Sequence, residues 1–360
     1  MRMALSFARR GCGHTSPNPL VGCVIVDWAH GGHVVSYGYH ERCGEAHAEA
    51  SALSGAKDGV RGSTVYVNLE PCCHTGRTPP CCDALIRAGV GRVIVGSVDP
   101  NPLVAGGGVE RLRAAGIEVE TGILDMECKW LNRGFIRRIT MGRPWVTVKA
   151  ALSLDGDIAL ASGESKWISG AHSRQRAHML RAESDAVLVG VGTVMFDDPS
   201  LTVRDADGRS PLRVVLDRGL TMDPQASILD GGNCVVFTGL GYDEQKGTDL
   251  ASRGARLIPL PLDEGGRIPI LPMLKALAEA GVNRLLVEGG AGVVGSLLRA
   301  NVVDEFSLFV APKLMGNGLH VTERVSFRHM GEVVTMRCIE TRRIGDDIWY
   351  EGVPSCSPDL

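Results

Sequence analysis

Two rhythms of apolar residues alternate along this chain: short runs with strand character, and stretches where apolar side chains return every three or four residues, as on one face of a helix. Met1 to Arg10 alternates apolar and basic residues at helical spacing. From Val21 to Val26 the apolar run is continuous, the mark of a buried strand, and after Gly31-Gly32 a second strand spans Val34 to Tyr37, making a hairpin. Helical spacing then begins near His47 and runs through Ala50, Leu53 and Ala56. Thr64 to Leu69 predicts a strand, and Pro71 breaks the pattern. After Pro79-Pro80 the spacing predicts a helix over Cys81 to Ala88, a strand over Arg92 to Val98, a helix over Gly108 to Ala115 and a strand over Ile117 to Glu120. A basic helix over Cys128 to Ile139 ends at Met141-Gly142-Arg143-Pro144, where Gly and Pro together stop it.

The alternation resumes beyond that stop. Trp145 to Ala150, Ala186 to Gly190, Arg213 to Leu216, Asn233 to Phe237, Arg284 to Glu288 and Glu305 to Ala311 predict strands. Ser173 to Arg181, Leu271 to Ala280 and Val293 to Arg299 predict helices. Strands interleaved with helices imply layered α/β architecture on both sides of the stop, hence two domains, residues 1–143 and 144–360. The 360 residues are 44% hydrophobic and 22% charged, enough apolar material for two cores.

A net charge of -3 provides no general field to gather a nucleic-acid backbone, and five Trp, five Tyr and seven Phe are few platforms for stacking bases. No run approaches the roughly 18 apolar residues that span a bilayer, and the N-terminus lacks the apolar core of a signal peptide. A soluble, cytoplasmic protein without membrane or nucleic-acid partners is expected. Eleven cysteines include two adjacent pairs, Cys72-Cys73 and Cys81-Cys82, in one Pro-rich loop. That clustering suggests a metal in a reducing compartment rather than a disulfide framework.

A catalytic zinc takes three protein ligands and keeps a fourth position for water, whose pKa falls to about 7 there. The chain offers such a set. His47-Ala48-Glu49 opens a helix, holding an imidazole and a carboxylate within one turn; Pro71-Cys72 opens another segment, and Cys81 follows after eight intervening residues. In zinc deaminases a His and two Cys hold the metal, while a Glu two residues beyond the His moves protons without touching it. Residue types and order match that signature. The spacing departs from it, because two residues separate its cysteines and eight separate these, so the loop is longer and has room for substrate contacts. Cys73 and Cys82 have the same separation, which leaves two ligand pairs open; the Pro-Cys step of the signature favours Cys72 and Cys81. A closed structural site, with an extra cysteine as fourth ligand, has no use for the unligated Glu49.

In the second domain Gly290-Ala-Gly-Val-Val-Gly295 follows a strand and opens a helix, a context in which backbone amides meet a pyrophosphate. It lies too late in the domain for the first unit of a standard dinucleotide fold, and no acidic residue at a strand end follows about 20 residues on. A tight structural turn is the alternative.

Longer motifs narrow the reading. Thr15-Ser-Pro-Asn-Pro-Leu-Val-Gly-Cys-Val24, Gly38-Tyr-His40, Gly44-Glu-Ala-His-Ala-Glu49, Leu69-Glu-Pro-Cys-Cys-His-Thr-Gly-Arg-Thr-Pro-Pro-Cys81 and Asp99-Pro-Asn-Pro-Leu-Val-Ala-Gly106 resemble the deaminase half of a bifunctional riboflavin-biosynthesis family. Its members are diaminohydroxyphosphoribosylaminopyrimidine deaminases joined to aminophosphoribosylaminouracil reductases. The likeness continues through Lys149-Ala-Ala-Leu-Ser-Leu-Asp-Gly156, Ser162-Gly-Glu-Ser-Lys-Trp-Ile168, Val189-Gly-Val-Gly-Thr193, Asp197-Asp-Pro-Ser-Leu-Thr-Val-Arg204 and Val287-Glu-Gly-Gly290.

The resemblance implies an N-terminal cytidine-deaminase-like three-layer domain followed by a dihydrofolate-reductase-like α/β domain. It implies zinc-dependent hydrolytic deamination of the phosphoribosyl pyrimidine, then NADPH-dependent reduction of the ribosyl group to ribityl. Zinc falls to His47, Cys72 and Cys81, the proton shuttle to Glu49, and the deaminase pocket to Asn18, His40, His74 and Arg77. The cofactor falls to Ala151, Trp167, Thr193, Asp197, Gly290, Gly292 and Gly295, and the reductase substrate to Ser165, Arg181, Leu201, Arg204 and Glu288. Lys149 and Glu288 are candidates for protonating the sugar as its ring opens. Arg218, just after a strand, stands near the expected place of the cofactor's extra phosphate and would favour NADPH over NADH. A homo-oligomer acting on a small molecule is expected. Two departures are local: the family often has Lys or Arg where Gly107 stands, and the chain begins inside its first helix. The competing functions are a nucleic-acid or nucleotide base deaminase with an accessory nucleotide-binding domain, which needs a basic, aromatic groove, and a non-enzymatic zinc module.

Overall fold

The computed structural model describes residues 1–56, 59–73, 79–101, 105–322 and 325–355. The chain divides into two compact units, the first spanning Met1–Gly142 and the second beginning at Arg143. Each has its own sheet.

The first unit runs α1 (Arg2–Ala8), β1 (Gly22–Asp27), β2 (His33–Tyr39), α2 (Ala48–Gly55), β3 (Thr64–Leu69), α3 (Cys81–Ala88), β4 (Arg92–Ser97), α4 (Gly107–Ala114), β5 (Glu118–Thr121), α5 (Asp125–Leu131) and α6 (Arg133–Met141). Its sheet order is β2-β1-β3-β4-β5. The hairpin partners β1 and β2 are antiparallel, as are β1 and β3, while β3, β4 and β5 are parallel. Alternate residues of each strand face opposite helical layers. Cys23, Ile25, Val65, Val67, Val93 and Val95 pack with Ala48, Ala52, Cys82, Leu85 and Leu112 of α2, α3 and α4. Val24 and Val26 pack with Ala4 and Phe7 of α1, and Leu69 packs with Phe135 and Ile136 of α6. This is the three-layer arrangement that the resemblance implies.

The helix expected over Cys128–Ile139 is two. Asn132, which separates them, is buried and pairs its side-chain amide with both backbone groups of Leu20, accepting from N–H at 2.7 Å and donating to C=O at 2.9 Å. A polar side chain that satisfies a distant backbone takes precedence over continued helical pattern.

The second unit contains β6 (Trp145–Leu152), β7 (Asp157–Ala159), α7 (Ala171–Ala182), β8 (Ala186–Gly190), α8 (Val191–Asp197), β9 (Leu212–Leu216), β10 (Cys234–Gly239), α9 (Glu244–Ser252), β11 (Ala255–Leu260), α10 (Ile270–Glu279), β12 (Arg284–Val287), α11 (Ala291–Arg299), β13 (Glu305–Val310), β14 (Leu319–His320), β15 (Met336–Ile344) and β16 (Asp347–Pro354). The main sheet has the order β11-β10-β9-β8-β12-β6-β13-β16-β15, parallel from β11 to β13 and antiparallel beyond. Strands β7 and β14 form a separate ribbon. One face packs Met273, Leu274, Leu277, Val294 and Leu297 of α10 and α11; the other packs Leu180, Val194 and Leu250 of α7, α8 and α9.

Strand order places the functional edge. The chain leaves β6, winds outward through β8 to β11, then returns to insert β12 between β8 and β6. In open parallel sheets the crevice at the carboxyl ends of strands flanking such a reversal is where ligands bind. Lys149 and Ala151 lie on β6, Gly190 ends β8, and Glu288 follows β12.

Candidate active sites

In the first unit, α2 is drawn tightly onto β2. A Cβ at Gly38 would stand 2.4 Å from the Ala52 nitrogen and 2.6 Å from the Ala48 oxygen, so only glycine permits the approach. Ser36 Oγ adds a 2.6 Å hydrogen bond to the Ala52 carbonyl. Seated in this way, α2 presents His47 at its N-cap and Glu49 in its first turn, the latter buried.

His47, Cys72 and Cys81 converge, their donor atoms all within 4.8 Å of one another. His47 Nδ1 is 3.6 Å from Cys72 Sγ and 3.3 Å from Cys81 Sγ. A tetrahedral zinc with bonds of about 2.3 Å to sulfur and 2.0–2.1 Å to nitrogen requires sulfur–nitrogen separations of about 3.6 Å. The donor set therefore fits zinc. The neighbouring Cys82 behaves differently: it is buried and its thiol donates to the Pro71 and Gly108 carbonyls at 3.3 and 3.5 Å. Cys72 accepts from the Cys81 backbone N–H at 3.3 Å. The Cys81 thiol beside it, with His47, holds Cys72 down to about 4, and Cys81 itself is pushed up. Burial, reinforced by the Cys72 charge, pushes the Glu49 carboxyl up to about 7.

His47, Glu49 and Cys72 open into a cavity of about 490 Å3 that is also lined by Asn18, His40, Glu70, Asp99, Asn101 and Phe135. His40 donates from Nδ1 to the Ala46 carbonyl at 3.0 Å, which leaves Nε2 to accept from the Asn18 amide at 3.1 Å. Burial lowers the His40 pKa, keeping the ring neutral for that arrangement. His74 and Arg77 lie outside the described residues.

Glu70, Asp99, Asn101 and Phe135 carry no role in the sequence reading, although the first three stand inside the quoted motifs. Glu70 accepts backbone N–H groups from Asp99 at 3.1 Å, Gly106 at 3.0 Å and Val109 at 3.0 Å. It thus caps α4 and fastens the segment that brings Asp99 and Asn101 to the cavity wall. Gly107 opens α4, and a Cβ there would lie 3.1 Å from Cys73 Sγ.

In the second unit the polar residues pair mainly with one another. Arg181 forks onto Glu288 through Nε at 2.5 Å and Nη2 at 2.9 Å, and its Nη1 donates to the Thr202 carbonyl at 3.2 Å. Expected to contact the substrate, Arg181 instead spends a donor from each of its three nitrogens on partners inside the protein. Lys149 Nζ is 3.6 Å from Glu288 Oε2. Burial would raise the Glu288 carboxyl, but the Arg181 and Lys149 charges outweigh it and hold the group down at about 2. Glu288 therefore has no proton to give at neutral pH.

Ser165 Oγ donates to Asp197 Oδ1 at 2.8 Å, joining two of the expected ligand contacts at the end of α8. Thr193 lies in the first turn of α8, and the Trp167 indole is exposed, with the Arg174 guanidinium 4.6 Å from its ring centre. Arg204 Nη1 donates to Ser200 Oγ at 2.9 Å, and Leu201 is buried. At the start of α11 a Cβ on Gly290 or Gly292 would meet nothing within 4 Å, leaving backbone that a pyrophosphate can approach. Gly295, expected with them, is buried in the body of the helix and serves packing. Arg218 is exposed and donates to the Gly266 carbonyl at 2.9 Å.

Comparison with known proteins agrees with both halves. Residues 1–97 match the cytidine and deoxycytidylate deaminase zinc-binding region, and residues 144–350 match the RibD C-terminal domain. The riboflavin biosynthesis protein RibD of Aquifex aeolicus is 42% identical over 349 residues, covering 97% of this chain and 96% of that protein. RibD of Escherichia coli is 39% identical over 362 residues, covering 97% and 96%. The Acinetobacter baumannii RibD structure superposes with a TM-score of 0.89 at 37% identity, covering 98% of this chain and 97% of that one. A deaminase/reductase structure from Thermotoga maritima gives 0.86 at 34% identity, with 98% and 97% covered. No helix among the described residues is long and apolar enough to cross a membrane. The chain belongs to the RibD family: it is a bifunctional enzyme of riboflavin biosynthesis, a zinc-dependent deaminase joined to an NADPH-dependent reductase.

Proposed function

We propose that residues 1–143 deaminate diaminohydroxyphosphoribosylaminopyrimidine and that residues 144–360 then reduce the ribosyl group of the resulting aminouracil to ribityl. The observation that carries this reading is the convergence of His47, Cys72 and Cys81, with His47, Cys72 and buried Glu49 lining a cavity of about 490 Å3, a size that suits one small ligand. Zinc held by those three residues supplies a Lewis acid that makes water nucleophilic at neutral pH. Glu49 moves the protons: its carboxylate takes one from the attacking water and passes it to the ring nitrogen, then carries the remaining hydroxyl proton to the departing amino nitrogen, so that aminopyrimidine and water become a carbonyl with a ring N–H and ammonia. Asn18 and His40, oriented by their mutual hydrogen bond, and Asp99 and Asn101 recognise the substrate's polar edge. His74 and Arg77 join them on the family likeness alone.

In the reductase, NADPH supplies a hydride to the anomeric carbon. Gly290 and Gly292 admit its pyrophosphate, Ala151, Trp167, Thr193 and Asp197 line its path, and Arg218 takes the extra phosphate. Lys149 Nζ hands a proton to the sugar oxygen as the ring opens. Glu288, ionised, holds Lys149 and Arg181 in place rather than acting as an acid. Ser165, Leu201 and Arg204 bound the substrate, with Arg204 on its phosphate. The enzyme works in the cytoplasm as a homo-oligomer on small molecules, without nucleic acid or membrane. When the diaminopyrimidine and NADPH are supplied together, ammonia release should precede NADPH oxidation; NADPH consumption without ammonia would contradict the proposed order.

A further inference from the structure

Helix α7 carries two polar side chains one turn apart, His178 and Arg181, on the face that meets residues 200–205. They grip that segment's backbone at two points. Arg181 donates to the Thr202 carbonyl at 3.2 Å, and the Arg204 N–H donates to His178 Nδ1 at 3.3 Å. Just before them Leu201 is held at φ 50°, a left-handed conformation that a non-glycine residue keeps only where its surroundings impose it. Arg181 is itself fixed by Glu288. His178, 6% exposed, has no part in the chemistry described above.

We propose that His178 is a positioning residue of the reductase: by accepting the Arg204 N–H, its neutral imidazole fixes the segment that presents the Arg204 guanidinium to the substrate's phosphate. This inference rests on the reading of Arg204 as a phosphate contact. The part can be played in one protonation state only. Nδ1 must keep its lone pair, so the ring proton sits on Nε2, which is 3.5 Å from Asp205 Oδ2 on the same segment. A proton on Nδ1 would turn the acceptor into a donor facing another N–H, and the second grip would be lost.

The charged groups facing the ring are Arg181 on its own helix, Arg204 and Asp205 on the segment, and Glu288 after β12. Burial, then the Arg181 charge, lower the His178 pKa from 6.5, while Asp205 opposes them. Because the folded-state pKa is depressed, the grip is intact at neutral pH and is lost as pH falls below 6.5 toward the lowered value. The wider consequence is a substrate affinity for the second reaction that weakens on acidification.

The test is KM for the deaminated phosphoribosyl substrate against pH, on the full chain with saturating NADPH. His178→Leu removes the acceptor and should raise KM about tenfold, the scale of one lost backbone hydrogen bond, with kcat changed less than about twofold. His178→Asn sets an amide oxygen near the place of Nδ1 but does not titrate. It should keep KM close to the wild-type value at neutral pH and show a smaller rise on acidification. The substrate phosphate titrates alike for both proteins, so the difference between their profiles is the readout. Should His178→Leu fold poorly by thermal unfolding, the Asn profile decides alone. Identical acid rises in wild type and His178→Asn, with Arg204→Ala still raising KM, would overturn the positioning role and leave the phosphate reading standing. An unchanged KM in Arg204→Ala would remove the phosphate reading and this inference with it.

Discussion

Glu49 in the first domain and Glu288 in the second are both buried carboxyl groups, each beside a proposed reaction centre, and their surroundings drive them apart. Next to sulfur ligands, Glu49 has burial and negative charge acting together and rises to about 7, where it can take and return protons at neutral pH. Between Arg181 and Lys149, Glu288 is held at about 2 and stays an anion. On the proposed function the same residue type serves as a proton carrier in one domain and an electrostatic anchor in the other. Burial raises both carboxyls; what separates them is that the Cys72 charge adds to burial at Glu49, whereas the Arg181 and Lys149 charges outweigh it at Glu288.

The largest effect that could break this contrast lies in the zinc site. Cys72→Ser or Cys81→Ser should empty it and abolish deamination, whereas Cys82→Ser, whose thiol points to two carbonyls, should keep about one zinc per chain by elemental analysis. The reverse pattern would shift the ligand set by one residue. Next in size, Glu288→Gln leaves Arg181 charged and half-matched in a buried setting, which should cost about 3 kcal/mol of stability. The sign with pH follows from the depressed carboxyl. Its contribution is complete above the ordinary value of 4.5 and disappears as pH falls toward about 2, so the difference between wild type and variant in urea titrations should shrink over that range. A constant difference down to acid pH would mean that charge is not what Glu288 supplies. The smallest effect is expected from exposed Arg218: Arg218→Ala should weaken NADPH about tenfold and leave NADH unaffected. Equal losses for both cofactors would reject its phosphate role.

The two sites also differ in how far they could be read from the residues. The metal site was legible because its donors sit at element starts, His47 before α2 and Cys81 opening α3, where local pattern fixes direction. The strand between them, Thr64–Leu69, follows the apolar run residue for residue. Glu70 escaped because its partners, Asp99, Gly106 and Val109, meet it only after folding; nothing in local spacing announces a carboxylate that caps a helix formed later in the chain. The resemblance makes Arg181 a substrate contact, and its pairing with Glu288 depends on a residue brought near by strand order. Helix α9 and the hairpin β15–β16 were missed for a different reason. The first is largely polar, and much of β15 is solvent-exposed, so neither shows a clear apolar rhythm. The break at Asn132 was hidden in the same way, by a partner in a distant segment.

The central claim is that one chain carries two separate proton-moving centres, Glu49 with zinc in the first domain and Lys149 with NADPH in the second. Measuring both half-reactions in Glu49→Gln and Lys149→Ala tests it directly. Glu49→Gln should retain zinc and reduce supplied deaminated product at the wild-type rate, yet lose deamination by roughly a thousandfold or more. Lys149→Ala should deaminate normally and lose reduction by roughly a hundredfold or more. Either variant losing both half-reactions while folded and zinc-loaded, or neither losing its own, would contradict the account.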